Sequence, residues 1–211
     1  LYGFVKSVEL QNNGNQNLEI TLLDGIQNIM PYGVTSDLQR ASSHLVDAYK
    51  RSELHQESGL GIYALSAIIV DKAEPSEALK ANIVWSRGLQ DPSYLMSSLQ
   101  LNAFREGKDI TTETDIKGEK GAYFIFEKMI LEGETTKEWQ IVADVNKSSS
   151  QVVKIISEIQ STSDLKSKIK ADVKKGTQNL IQLVGSADGI QHTNDPLQDY
   201  RNYSNVLFNI M

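Results

Sequence analysis

The stretch Ile62-Tyr-Ala-Leu-Ser-Ala-Ile-Ile-Val70 decides the predicted fold, because it has the length of a strand and is apolar on both faces. The stretch Tyr123-Phe-Ile-Phe126 has the same character. A strand that is buried on both faces needs a layer of structure above and below it, so the two stretches predict stacked sheets rather than an open meander. Apolar patterning predicts strands at 62–70, 79–85, 123–131 and 139–145.

The residues before this stretch predict a hairpin, an ordered loop and an inserted helix. Apolar and polar residues alternate in 2–10 and again in 18–22, and the turn cluster 11–17 separates them. This pattern predicts a β-hairpin with one buried face. Residues 24–33 are predicted to form an ordered loop that closes with Pro31-Tyr-Gly33. A helix is predicted at 36–51, where Ser36-Asp-Leu-Gln39 has the form of a capping box.

The pattern changes from strand to helix after Asn146. Residues 148–151 repeat the capping-box form, helical stripes follow, and a last helix is predicted from Pro196 to the end. We therefore expect a β-sandwich domain at 1–146, with an inserted helix near 36–51, followed by a helical linker at 147–211. Both ends of the sequence lie inside apolar patterns, so we expect the chain to be a piece of a longer protein.

Composition and charge argue against several classes of function. Hydrophobic residues make up 40% of the chain and charged residues 23%, which is typical of a packed globular protein. The formal net charge of -6 disfavours nucleic acid or an anionic membrane surface as a partner, because both attract basic faces. No apolar run approaches the roughly 18 residues of a membrane span. The chain has no cysteine, which fits the cytoplasm and the periplasm alike, and we expect a cytoplasmic protein.

Candidate metal and phosphate sites have weak patterns. His44, Asp47, Glu53 and His55 lie close together in sequence, but their spacing matches no recognised ligand set, so we interpret them as a solvated surface. Gly59-Leu-Gly61 precedes a strand rather than a helix. It therefore lacks the free helix amides that hold a phosphate, and we interpret it as a turn at a strand entry. We expect no metal and no cofactor.

No self-sufficient catalytic group stands out in the sequence. The acids lie at turns or strand ends, where carboxyl groups are usually solvated, whereas a general acid needs a raised pKa. These acids are Asp24, Asp71, Glu74 and Glu77. Of the three histidines, His192 lies in a polar loop between helices, where it could form one wall of a site.

Aromatic residues are the candidates for stacking on a sugar, because a planar ring offers a pyranose an apolar face. Trp85 and Trp139 lie in strand patterns and are predicted to be core residues. Tyr32, in Met30-Pro-Tyr-Gly33, is predicted at a loop tip and is the better candidate. The remaining aromatic candidates are Tyr49, Tyr63 and Tyr94.

Three stretches carry a family resemblance: Leu22-Leu-Asp-Gly-Ile-Gln-Asn-Ile-Met-Pro-Tyr-Gly33, Asn82-Ile-Val-Trp-Ser-Arg-Gly88 and Asn205-Val-Leu-Phe-Asn-Ile-Met211. With the order of strands then helices, they resemble the N-terminal part of cellobiose-phosphorylase-like enzymes. This group is allied to glycoside hydrolase family 94 and the cyclic β-glucan synthases. The resemblance implies a large sandwich of galactose-mutarotase type, a helical linker and then an (α/α)6 catalytic barrel.

The resemblance implies a supporting role for this chain. Enzymes of the group carry their general-acid aspartate in the barrel, which would follow Met211, and no residue here matches that catalytic motif. The full-length enzyme would act on an oligosaccharide, with inorganic phosphate as the attacking group in a phosphorylase. The sandwich of such enzymes packs on the barrel of its own chain and often contributes to dimerisation, so a homodimer is one implied assembly.

The residues predicted to border a sugar site lie in the loop 24–33, in the inserted helix and in the loop before the last helix. They are Asp24, Gln27, Asn28, Tyr32, Tyr49 and His192. Hydrolysis and glycosyl transfer stay open beside phosphorolysis. Two other classes of function stay open as well, namely a stand-alone carbohydrate-binding module and a purely structural or dimerisation domain.

Overall fold

The computed structural model describes residues 2–67, 79–161, 164–188 and 193–210. The chain divides into two compact units, Tyr2–Thr162 and Ser163–Met211. The strands of the first unit are β1 (Phe4–Gln11), β2 (Leu18–Ile29), β3 (Lys50–His55), β4 (Leu60–Leu65), β5 (Lys80–Arg87), β6 (Ser93–Leu95), β7 (Asp115–Lys117), β8 (Gly121–Leu131) and β9 (Thr136–Ser148). Its helices are α1 (Ser36–Ala41), α2 (Ser43–Tyr49), α3 (Leu101–Arg105) and α4 (Ser149–Ser161).

The strands form two antiparallel sheets. The six-stranded sheet has the order β1-β9-β5-β4-β3-β7, and the three-stranded sheet has the order β2-β8-β6. The chain is therefore a mixed α/β protein whose two sheets are compatible with a β-sandwich. The predicted strands at 79–85, 123–131 and 139–145 correspond to β5, β8 and β9.

The core lies between the two sheets. Tyr63, Val84 and Trp139 from the six-stranded sheet pack in one cluster with Tyr123 and Ile125 from the three-stranded sheet. The prediction that the two tryptophans are core residues is confirmed, since Trp85 is 1% exposed and Trp139 is 3% exposed. Helix α4 contacts β5 and β9, and its Val152 is buried.

The predicted N-terminal hairpin is wrong. β1 pairs with β9 and β2 pairs with β8, so the two strands belong to different sheets. Residues 12–17 carry the chain from one sheet to the other, and the buried side chain of Asn12 donates to the carbonyls of Leu131, at the end of β8, and of Glu132, which follows it. Alternation predicts a strand but not its partner, because the partners here lie far along the chain, as Phe4 and Ala143 or Leu18 and Leu131 do.

The predicted loop at 24–33 is wrong as far as Ile29. β2 continues through Asp24 and Gly25 to Ile29, and these residues pair with β8. Glycine is required at position 25 because a Cβ there would lie 2.1 Å from the carbonyl oxygen of Tyr123. The turn begins only after Ile29.

The single inserted helix predicted at 36–51 is wrong. The chain forms α1 and α2, with a break at Ser42 and with β3 beginning at Lys50. The cap of α1 is Thr35, whose hydroxyl accepts from the backbone N–H of Leu38, so the capping box at Ser36 is wrong by one residue. The second capping pattern, at 148–151, is confirmed in part, because the side chain of Gln151 accepts from the backbone N–H of Ser148 before α4.

The second unit consists of two helices within its described residues, α5 (Leu165–Asp188) and α6 (Pro196–Ile210), which contact each other. The start of the last helix at Pro196 is confirmed. No helix within the described ranges is long and apolar enough to cross a membrane. The end of the predicted strand 62–70 and the candidates Asp71, Glu74, Glu77 and His192 lie outside the described residues.

Candidate functional site

One end of the two sheets gathers most of the described residues that were predicted to border a sugar site. The strand register places Lys50 opposite Leu65, Lys80 opposite Ser148 and Ile29 opposite Gly121. We call this the Tyr32 end. It consists of Asn28, Met30–Gly33, α1, α2, Lys80, Asn82 and Asn146.

Tyr32 lies in the turn after β2 and its side chain is 41% exposed. The ammonium nitrogen of Lys80 lies 5.2 Å from the centre of the Tyr32 ring, in the range of a cation–π contact. Such a contact orients the ring while leaving much of it open to solvent. The predicted exposure of Tyr32 is confirmed, whereas the partnership with Lys80 was not predicted.

The turn that carries Tyr32 is fixed by Asn82. The side-chain amide nitrogen of Asn82 donates to the carbonyl of Met30 at 2.7 Å, and its oxygen accepts from the backbone N–H of Asn146 at 3.0 Å. Asn82 lies on β5 between the buried Ala81 and Ile83. A single amide inside an apolar strand is the sequence signal that could have identified it, because buried polar groups need partners.

Two asparagines of this end adopt left-handed backbone conformations. Asn28 has φ 58° at the bulge between Gln27 and Ile29, and Asn146 has φ 59° near the end of β9. Asparagine tolerates this region better than most residues. Both side chains are exposed and offer amide donors and acceptors at the Tyr32 end.

The other predicted residues have structural partners. Asp24 lies in the middle of β2 and accepts from Trp139 Nε1 at 2.7 Å, from the N–H of Gly25 and from Lys6. Its role is therefore to join the sheets. Gln27 donates to the hydroxyl of Ser98 at 3.2 Å. Tyr49 is half-buried, and its backbone carbonyl accepts from Ser66.

A charged cluster supports α2 at the same end. Lys50 is only 4% exposed, and its ammonium donates to Asp47 at 2.7 Å and to Gln39 at 2.7 Å. The hydrogen bond from Lys50 lowers the pKa of Asp47 below its ordinary value, and the charge of Lys120 acts in the same direction. Burial opposes this shift but does not cancel it. Asp47 is therefore a carboxylate at neutral pH.

The shifted carboxyl groups do not have the properties of a general acid. Asp47, Asp109 and Asp115 are the described acids whose pKa clearly departs from the ordinary value, and in each the pKa is lowered by a lysine or an arginine. A general acid at neutral pH needs a raised pKa instead. No group of three side chains suited to a metal occurs in the part of the chain that the structure describes.

The opposite end of the two sheets holds a tyrosine cluster that consists of the buried Tyr123 and the half-buried Tyr94. The hydroxyl of Tyr123 donates to the carbonyl of Gly59 at 2.6 Å, and the rings of Tyr94 and Tyr123 lie 5.9 Å apart. Burial raises the pKa of Tyr123 well above its ordinary value, so the phenol stays neutral. Gly59 and Gly61 lie against these rings, which explains Gly59-Leu-Gly61 as a packing feature.

Comparison with known proteins adds no assignment. No protein-family model matches the chain, and no curated protein matches it. A functional interpretation therefore rests on the residues and geometry of the Tyr32 end.

Proposed function

We propose that this chain is the non-catalytic N-terminal sandwich and linker of a carbohydrate-active enzyme, a glycoside phosphorylase or hydrolase. In this proposal it supports the catalytic barrel, and its Tyr32 end borders the sugar site. The observation that carries the proposal is a contact between two of the three stretches that resemble the family, 22–33 and 82–88. Asn82, which begins the second stretch, donates to Met30 in the first, although the two residues are 52 positions apart.

The chemistry of the Tyr32 end supports contact with a polyhydroxylated ligand. A pyranose stacks its C–H face on an exposed aromatic ring and directs its hydroxyl groups outward, where amides can bind them. Tyr32 supplies the ring, and Asn28 and Asn146 supply exposed amides. One stacking contact contributes roughly 0.5–1.5 kcal/mol, so this end alone would hold a sugar only weakly.

The described acids whose pKa is clearly shifted support a role outside the chemical step, because in each of them the pKa is lowered. An inverting glycosidase or phosphorylase needs a carboxylic acid to protonate the leaving oxygen. Asp47 and Asp115 are held as carboxylates by Lys50 and Arg51. Asp24 is tied to Trp139 and Lys6 between the sheets. The proposal therefore assigns bond cleavage to a catalytic barrel. In the proposed order of domains, this chain supplies a sandwich of galactose-mutarotase type and a helical linker, and the barrel comes after them.

The test is an activity assay of the chain with cello-oligosaccharides, with and without inorganic phosphate, combined with light scattering. We expect no release of glucose or glucose phosphate. Turnover by these 211 residues would contradict the proposal. Micromolar sugar binding without turnover would favour a stand-alone carbohydrate-binding module. A stable dimer that binds no sugar would favour a structural domain.

A further inference from the structure

The crossover between β1 and β2 contains the dipeptide Asn13-Gly14, and both residues are exposed. Asparagine followed by glycine is the sequence most prone to deamidation, because the backbone nitrogen of the glycine can reach the asparagine side chain without obstruction by a Cβ. Among the described residues no hydrogen-bond partner of the Asn13 side chain is found. The reactive dipeptide therefore lies open to water.

The neighbouring Asn12 is buried and organises this crossover. Its side chain is 4% exposed, and its amide nitrogen donates to the carbonyls of Gln16 at 2.8 Å and Glu132 at 3.0 Å. Its side-chain oxygen accepts from the backbone N–H of Gly14 at 3.0 Å. The nitrogen that would attack Asn13 is thus the one that Asn12 holds.

We propose that Asn13 is a deamidation site and that the hydrogen bond from Gly14 to Asn12 controls its rate. An amide nitrogen must lose its proton before it can attack a carbonyl carbon. While Asn12 accepts that proton in a hydrogen bond, the nitrogen is neither free to lose it to water nor free to turn toward Asn13. Reaction requires the crossover to open first.

The reaction balances with water as its only co-reactant. The Gly14 nitrogen, after losing its proton to hydroxide, forms a bond to Cγ of Asn13. The bond from Cγ to the side-chain nitrogen breaks, and that nitrogen leaves as ammonia after taking up a proton. Water then opens the resulting succinimide at either carbonyl and leaves aspartate or isoaspartate at position 13.

The product would alter the crossover. Either product adds one negative charge to the chain, and isoaspartate also lengthens the backbone by one carbon. The backbone N–H of Glu134 donates to the carbonyl of Gly14 at 2.8 Å, and the N–H of Asn12 donates to Thr135 at 2.9 Å. These bonds join the crossover to the turn between β8 and β9, so a longer backbone at position 13 would weaken them.

Asp24-Gly25 provides an internal comparison, because aspartate followed by glycine forms the same succinimide by loss of water. Gly25 lies in β2 opposite Phe124, and a Cβ on it would lie 2.1 Å from the carbonyl of Tyr123. The backbone there has no room to turn. We expect Asp24 to stay unmodified while Asn13 reacts.

The test follows conversion at Asn13 by peptide mapping and mass spectrometry during incubation of the full chain at mildly alkaline pH. The variants are Asn12→Ala and, as the matched control, Asn17→Ala. Asn17 belongs to the same crossover and accepts from Gly133, not from Gly14. We expect Asn12→Ala to accelerate conversion about tenfold, the factor that corresponds to roughly 1.4 kcal/mol of lost hydrogen bonding. Asn17→Ala should react at the wild-type rate.

A second measurement does not depend on the folding of any variant. The wild-type chain unfolded in urea should convert several-fold faster than the native chain. Equal rates in the native and unfolded chains would overturn the proposal, as would equal rates for Asn12→Ala and wild type. Equal acceleration by Asn17→Ala would overturn the specific role of Asn12. If Asn13 stays intact even in urea, it is not a deamidation site.

Discussion

The indole nitrogen of Trp139 donates a 2.7 Å hydrogen bond to Oδ2 of Asp24, and this bond joins β9 of one sheet to β2 of the other. Lys6 on β1 binds the second oxygen of the same carboxylate. A buried tryptophan N–H needs an acceptor, and a carboxylate between two sheets needs donors, so each group satisfies the other. Asp24 therefore lies inside a strand although its residue type is rare there.

Replacement of Trp139 by phenylalanine should lower the free energy of unfolding of the first unit by more than the loss of side-chain volume alone explains. Trp85→Phe is the matched control, since Trp85 is equally buried and contacts Tyr2 edge-on without binding a carboxylate. We expect the free energy of unfolding to fall by roughly 1–2 kcal/mol more for Trp139→Phe, because Asp24 loses a charge-assisted hydrogen bond. The remaining tryptophan reports unfolding of the first unit by fluorescence. Equal losses of unfolding free energy in Trp139→Phe and Trp85→Phe would contradict the role of the hydrogen bond.

The pair Asp47–Lys50 predicts a pH-dependent contribution to stability. Since the folded pKa of Asp47 lies below its ordinary value of 3.8, this contribution is fully present above that value and is lost as the pH falls through the lowered pKa. Asp47→Asn should lower the free energy of unfolding by about 1–2 kcal/mol at neutral pH, because it leaves the buried ammonium of Lys50 with less compensation. The difference from wild type should shrink below about pH 4.

Asp115→Asn is the control for this prediction. Asp115 also pairs with a cation, Arg51, but the two side chains are 37% and 39% exposed. Solvent screens such a pair, so we expect a change of at most about 1 kcal/mol in urea unfolding at neutral pH. A larger loss for Asp115→Asn than for Asp47→Asn would contradict the assignment of Lys50 as the buried partner.

Replacement of Gly59 by alanine should disrupt the tyrosine cluster. Gly59 has φ +65°, and a Cβ on it would lie 2.2 Å from the hydroxyl oxygen of Tyr94. Gly107 has a similar φ of +72° but open space around it, so Gly107→Ala measures the backbone cost alone, about 1–2 kcal/mol. Gly59→Ala should cost a further 1–3 kcal/mol or so in thermal or urea unfolding, because the Tyr94 ring must move. Equal losses of unfolding free energy in Gly59→Ala and Gly107→Ala would contradict this prediction, because the Tyr94 ring would then move at no energetic cost.

The positions of many elements follow from local pattern. The apolar runs that predicted β5, β8 and β9 and the stripes that predicted α4 and α5 arise because burial imposes the period of each element on its own residues. The partners of β1 and β2 could not be predicted in this way. Their partners β9 and β8 lie far along the chain, and alternation in β1 and β2 is satisfied by any sheet with one buried face.

In the candidate site, too, local sequence predicts some features, whereas others depend on residues far along the chain. Met30-Pro-Tyr-Gly33 predicted the exposure of Tyr32, because proline and glycine favour a turn. Its contact with Lys80 and the bond from Asn82 to Met30 depend on residues about fifty positions away. Asp24 was predicted to lie in a loop because its partner Trp139 is 115 positions distant and could not be recognised from sequence.

The most direct test of the proposed sugar-bordering role is a titration of the chain with cello-oligosaccharides, followed by saturation-transfer NMR, for wild type, Tyr32→Ala and Tyr200→Ala. Tyr200 is the matched control, an exposed tyrosine on α6 of the second unit. We expect wild type to bind weakly, with a Kd on the order of 1 mM. The affinity should fall several-fold in Tyr32→Ala and stay unchanged in Tyr200→Ala. Saturation transfer that is equal in all three proteins, or absent from wild type, would contradict the account.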